Sequence, residues 1–277
     1  MTDVPPIETL ARGDAPELRV LSQTIGWAHT DDDWRTILEV GRVFGHRASD
    51  GGFLSSGALF EYGPSLASIG MILVTPASRG RGLARAMMRH CLAAAGSTPV
   101  TLIATEQGEP LYRSLGFVEV DRVCRALVAG RVPAPRLAPI TARDLESVTR
   151  LDAEMLGGDR RALLAALLAR AEASAVVSDA RGRLRGFGFA VRQAGRLAIG
   201  PVAAREADDA LTIVRSLAAG HDGQVRVDVP TRQTRVLEAL AELGARPSAD
   251  APVMLYGATT MPGCRDGIYA LASRGFG

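Results

Sequence analysis

A mixed α/β fold, laid down twice in tandem, is what the sequence predicts, and three observations carry the prediction. The first is the order of elements in the first half: helices, an antiparallel run, then a β-α-β unit with a crossover helix. The second is repetition. Ile7 to Asp14 and Ile140 to Asp144 are similar starts, and Asp14 and Asp144 stand 130 residues apart. Ser68-Ile69-Gly70 and Ala198-Ile199-Gly200 keep that offset, and Leu115-Gly116 and Leu243-Gly244 are 128 apart. Each match alone is common; their shared order and spacing indicate an internal duplication. The third is the segment from Arg131 to Pro139, whose three prolines disfavour helix and interrupt a strand ladder. We read residues 131–139 as a linker between one domain at 1–130 and a second at 140–277. Each domain is expected to hold a mixed, mostly antiparallel sheet flanked by helices.

In chain order, Pro16–Trp27 and Asp31–Gly41 read as helices. Thr30 with Asp33 three residues later resembles a capping box, with Asp in place of the usual Glu. Val43–Ala48 and Phe53–Tyr62 read as strands, and Leu66–Val74 as an apolar one. Gly82–Ala95 is Ala-rich and sets Leu83, Met87, Cys91 and Ala94 on one face at helical spacing. Val100–Ala104 is a short buried strand, Glu109–Leu115 a short helix and Phe117–Val128 a closing strand. In the second half Leu211, Val214 and Leu217 keep a helical apolar pattern, and Val225–Val229 reads as a strand.

Bulk properties narrow the function. Apolar residues make up 47% and charged residues 22%, as in ordinary globular proteins. The net charge of +2, from 32 basic and 30 acidic residues, gives no footprint for nucleic acid. Cys91, Cys124 and Cys264 are odd in number and far apart, so neither a disulfide framework nor a metal site is expected. A reducing cytoplasm is the expected compartment. The start MTDVPPIETL lacks the features of a signal peptide, and no stretch nears the ~20 apolar residues that span a bilayer.

The sharpest motif runs from Val74 to Ala84, between an apolar strand and a helix. Arg79, Gly82 and Ala84 form R-x-x-G-x-A. Small residues let backbone approach a ligand closely. The helix N-terminus offers free N–H groups and a dipole that favours an anion, and Arg79 and Arg81 add charged donors. This is a site for a pyrophosphate. A P-loop needs a Lys, and the chain has none; a dinucleotide fingerprint fails because Arg85 stands three residues after Gly82. The plain alternative is an Arg-Gly turn that caps a helix.

Downstream stands Glu109-Pro110-Leu111-Tyr112-Arg113-Ser114-Leu115-Gly116-Phe117. With R-x-x-G-x-A and then L-Y-x-x-L-G-F in this order, the sequence resembles the GCN5-related N-acetyltransferase family. The likeness covers residues 5–130 well. The whole chain resembles a two-domain subgroup in which a degenerate acetyltransferase-like copy follows the active domain. The resemblance implies acetyl-CoA as co-substrate. It implies that Arg79, Gly80, Arg81, Gly82, Leu83 and Ala84 hold the pyrophosphate. Met71, Ile72, Leu73 and Val74 would align the pantetheine arm and turn an N–H to the thioester oxygen. Tyr112 falls where the family often keeps the acid that protonates the thiolate. Where the family often has Asn, this chain reads Ala104-Thr105-Glu106-Gln107.

The chemistry needs a base, because a primary amine is mostly protonated at neutral pH. It needs N–H donors for the developing oxyanion and an acid for the thiolate. His29 is the candidate base, directly or through water, and Glu106 its rival. Trp27, His29, Asp33 and Trp34, in the stretch joining the first two helices, are candidates to line the acceptor site, where aromatics and carboxylates could hold a cation. The plain reading of this stretch is a helix cap with two core anchors. The acceptor expected is a small-molecule amine. Alternatives are protein lysine or N-terminal acetylation, and a non-catalytic acyl-CoA sensor. The assembly expected is a monomer whose second half acts as an internal dimer partner, or a homodimer.

Overall fold

The computed structural model describes residues 5–129, 134, 136–193, 196–248 and 250–277. Arg131, Val132, Pro133 and Pro135 of the proline-rich segment lie outside the described residues; within the segment Ala138 bridges to Val176.

The first half runs β1 (Ile7–Thr9), α1 (Ala15–Thr24), α2 (Asp31–Val40), β2 (Arg42–Arg47), β3 (Phe53–Glu61), β4 (Ala67–Val74), α3 (Leu83–Ala95), β5 (Val100–Ile103), α4 (Glu109–Ser114) and β6 (Val118–Ala129). The second half runs α5 (Leu145–Leu156), α6 (Arg161–Arg170), β7 (Ala171–Ser178), β8 (Leu184–Gln193), β9 (Arg196–Ala204), α7 (Ala207–Ala218), β10 (Gln224–Pro230), α8 (Thr234–Glu242), β11 (Arg246–Pro247), β12 (Ala251–Tyr256) and β13 (Ile268–Ala270).

Local chemistry sets the boundaries. The Thr30–Asp33 capping box forms in both directions: Thr30 N–H donates to Asp33 at 3.0 Å, and Asp33 N–H donates to Thr30 Oγ1 at 3.2 Å. Helix α1 stops three residues before the expected Trp27, because Gly26 is left-handed at φ 79° and Trp27 N–H turns back to the Ser22 carbonyl. Strand β1 was not legible; three residues are too few to show a period, and β2 pairs with them at the sheet edge.

The duplication is visible in the bonding. Ala11 N–H donates to Asp14, and Thr141 N–H to Asp144, each at 2.8 Å. Strands β4 and β5 are parallel around α3, as β9 and β10 are around α7. The Tyr112 carbonyl accepts from Leu115 and Phe117, and the Leu240 carbonyl from Leu243 and Ala245. A Cβ at Gly70 would overlap the Gly275 carbonyl, and one at Gly200 the Leu271 carbonyl, so the segment after β13 crosses both copies.

All strands belong to one sheet in the order β1-β2-β3-β4-β5-β12-β6-β10-β9-β8-β7, with β11 on β6 and β13 on β9. The closing strand of each half lies in the other half's sheet. Strand β12 adds antiparallel to β5, β6 adds antiparallel to β10, and β6 and β12 pair at the centre. The core follows: Met254 of β12 packs with Phe44, Leu59 and Met87, and a larger cluster joins Trp34 and Phe60 to Leu163 and Phe187.

Candidate active site

Pairing between β4 and β5 is confined to Ala67 with Val100 and Ser68 with Thr101. Beyond it a cleft of about 1100 Å³ lies between Ile69–Val74 on one side and Leu102–Ala104 on the other. On the β3 side β4 carries a bulge, and there Met71 takes a left-handed φ of 54°. A non-glycine residue held so costs about 1–3 kcal/mol and persists only where surroundings enforce it. Here the Ser56 hydroxyl donates to the Met71 carbonyl at 3.0 Å. The bulge re-aims the β4 backbone toward the cleft. Met71, Ile72, Leu73 and Val74 all line it.

Eight residues, Thr75 to Gly82, separate β4 from α3. Gly80 and Gly82 are left-handed at φ 75° and 82°, and Gly82 caps α3 without a side chain. The first-turn N–H groups of α3 are therefore left to an incoming anion. Arg79, Gly80, Gly82, Leu83 and Ala84 line the cleft, as does Arg85; Arg81 is not in its lining.

Tyr112 lines the cleft from α4, its ring packed over Gly108. Burial pushes its phenol up to about 12, so it holds its proton at neutral pH. His29 lines the cleft as well, and its Nδ1 is buried with no hydrogen-bond partner. Burial lowers its pKa, nearby Asp33 opposes this and Arg226 adds to it, so the ring is neutral at pH 7. Trp27, 5.6 Å from the His29 ring, also lines the cleft. Glu106 lines it too, on the exposed loop after β5.

One expectation for the acceptor stretch needs correction. Trp34 is a core residue: it is fully buried, its indole N–H donates to Ser22 Oγ, and it is not in the lining. Asp33 reaches the cleft but its carboxylate is spent on the Thr30 cap and on Arg170, 3.1 Å away. Asp31 and Asp32 pair with Arg19 and Arg35. The three carboxylates of this stretch are each engaged by an arginine.

The second copy is built differently at the matching points. Only Arg205 and Glu206 separate β9 from α7, whose first turn carries Asp208 and Asp209. Leu240, bonded as Tyr112 is, has no acidic proton to give.

Sequence reading missed the far end of the cleft. Arg125, Arg170, Arg196, Arg226 and Arg274 line it, from β6, α6, the start of β9, β10 and the segment after β13. They come from five separate places, so no local pattern could have announced them.

Comparison with known proteins identifies the family. Residues 36–119 match one family model described as an acetyltransferase (GNAT) domain, and residues 148–270 match another of the same description. An uncharacterized N-acetyltransferase of Bacillus subtilis, YitH, is 30% identical over 267 residues, 94% of either chain. Among solved structures, a protein from Pyrococcus horikoshii superposes with TM-score 0.80 at 20% identity, covering 100% of this chain and 97% of its own. A tandem GNAT protein from the clavulanic acid biosynthesis pathway superposes with TM-score 0.65 at 15% identity, covering 92% and 99%. Two such domains in tandem, on one sheet, make this chain a member of the GCN5-related N-acetyltransferase family and an N-acyltransferase.

Proposed function

We propose that the chain moves an acetyl group from acetyl-CoA directly to the amine of a small molecule, with the chemistry in the first half. One observation carries the reading: a single cleft joins the open helix N-terminus, the β4 bulge, Tyr112 and His29. The residues fit acetyl-CoA. The glycine-capped start of α3 with Arg79 suits a pyrophosphate, and the β4 edge facing the cleft suits the amide-bearing arm. When bound, acetyl-CoA supplies an acetyl group activated as a thioester.

The protein's own groups do the rest. Neutral His29 accepts a proton from the ammonium form of the acceptor, and the cleft holds the free amine. A backbone N–H at the Met71 bulge supports oxyanion charge. The amine nitrogen bonds to the acetyl carbon as the carbon–sulfur bond breaks; Tyr112 delivers its phenolic proton to the departing sulfur and is restored by the second proton that the attacking nitrogen sheds. A screen of amines that reads free CoA release, begun with amino acids, amino sugars and polyamines, tests the reading. Steady release with an amine supports it; acetyl-CoA binding without release from any amine or peptide would favour a sensor.

Two substitutions separate the roles. Tyr112→Phe is expected to lower kcat by ~10²–10⁴-fold with acetyl-CoA affinity unchanged. Turnover within about threefold of wild type would make Tyr112 a packing residue. For His29, protonation removes the base, so activity should fall on the acid side with an inflection below 6.5, its ordinary value. His29→Gln is expected to cost roughly 10²-fold in kcat and erase that inflection. An unchanged pH profile in the variant would pass the role to another group, with Glu106 next to be tested.

A further inference from the structure

The far end of the cleft is more cationic than its partners can offset. Asp228, only 2% exposed, takes Arg125 in a two-pronged pair at 2.8 and 3.2 Å, and Arg274 at 3.1 Å. Arg226 stands 3.5 Å from the same carboxylate and is 12% exposed. Its other prong donates to Gln193, which is anchored by the Ala272 carbonyl. One carboxylate thus serves three guanidiniums. The fourth, Arg170, is matched by Asp33. With Arg196, which also lines the cleft, these guanidiniums outnumber the two carboxylates and leave positive charge in excess at a recessed site. Such an excess is costly without an anion, and planar guanidinium forks suit an oxyanion.

Position decides which ligand this end serves. Arg274 precedes Gly275, whose carbonyl abuts Gly70, one residue before the Met71 bulge. Arg79 and the α3 N-terminus lie beyond the other end of β4. The bulge therefore stands between the two cationic ends, and the phosphates of the donor are already provided for at the first. Arg226 also acts electrostatically on His29, so the second end shares a space with the candidate base.

We propose that the acceptor is an amine that also carries an oxyanionic group, a carboxylate or a phosphate, and that Arg226 and Arg274 recognise it. This rests on the transferase reading above and gives that reading its substrate class. It also reverses the expectation of an acidic pocket for a cation. The segment after β13 becomes part of the acceptor site, and so does β10, so both halves contribute to one cleft.

The test uses the full chain and matched amine pairs. The kcat/KM of phenylalanine is compared with phenethylamine, alanine with ethylamine, and phosphoethanolamine with ethanolamine. The anionic member is expected to win by at least tenfold in one series, and the winning series says whether carboxylate or phosphate is read. Arg226→Gln and Arg274→Gln should each cut that preference tenfold or more, while calorimetric affinity for acetyl-CoA, which also reports folding, stays put. Arg226→Lys keeps the charge without the fork and should fall between. A wild-type ratio near one, or a ratio unmoved by both Gln variants, overturns the proposal. Should no amine be acetylated, the transferase reading fails first. Titration of N-acetylphenylalanine and N-acetylphosphoethanolamine against their uncharged counterparts then tests the arginine site without turnover, and equal or absent binding overturns it.

Discussion

Gly82→Asp should abolish acetyl-CoA binding in a protein that remains folded. Nothing lies within 4 Å of where a Cβ at Gly82 would stand, so the new side chain meets no clash. The left-handed backbone, φ 82°, is one that Asp tolerates better than most residues, at a cost of about 1 kcal/mol. What changes is charge. A carboxylate about 4 Å from a phosphate, at an effective dielectric near 20, is repelled by roughly 4 kcal/mol. That is about three orders of magnitude in affinity, at 1.4 kcal/mol per tenfold. Gly82→Asn has the same shape without the charge and should retain far more binding. Calorimetric titration of both variants gives the answer. Near-normal affinity in the Asp variant would take this loop out of the site.

Residues 1–133 expressed alone should be insoluble or inactive. The fragment lacks β12, so β5 loses its antiparallel neighbour and presents an unpaired edge. It also lacks Met254 and Leu255, both fully buried, whose burial contributes about 1.5–3 kcal/mol each. Strand β6, meanwhile, has neither β10 nor β12 to pair with. These losses compare with a typical net stability of about 5–15 kcal/mol. The segment after β13 and the arginines beyond Arg125 would be gone from the cleft as well. Sedimentation of the lysate followed by a CoA-release assay decides the matter. A soluble fragment with full activity would show that the first half is an independent domain and that the second is not needed as a partner.

What could be read from the sequence was what is local. The anion loop is eleven consecutive residues, and its glycines and the apolar strand and helix beside it state their own geometry. The Thr30–Asp33 cap is a spacing of three. The strands from β2 to β6 were placed within a residue or two, because their apolar runs are bounded by Gly, Pro and charged residues. Trp34 was misplaced for the opposite reason: a tryptophan beside a candidate base looks alike in sequence whether it faces the cleft or the core. Only the phase of α2, with Trp34 turned toward Ser22, decides. Arg226 and Arg274 were invisible because the site they share with Arg125 exists only after β6 crosses into the second sheet. The repeat offsets announced a second copy but said nothing of which copy would keep which closing strand.

That exchange sets a schedule for synthesis. Strand β5 is complete at Ile103, yet its partner Val253 is 150 residues further on. At ~5–20 residues per second, a ribosome reaches it roughly 8–30 s later. Through that interval the nascent first half carries an open β5 edge and lacks part of its core, and it can close its sheet only once β12 has emerged.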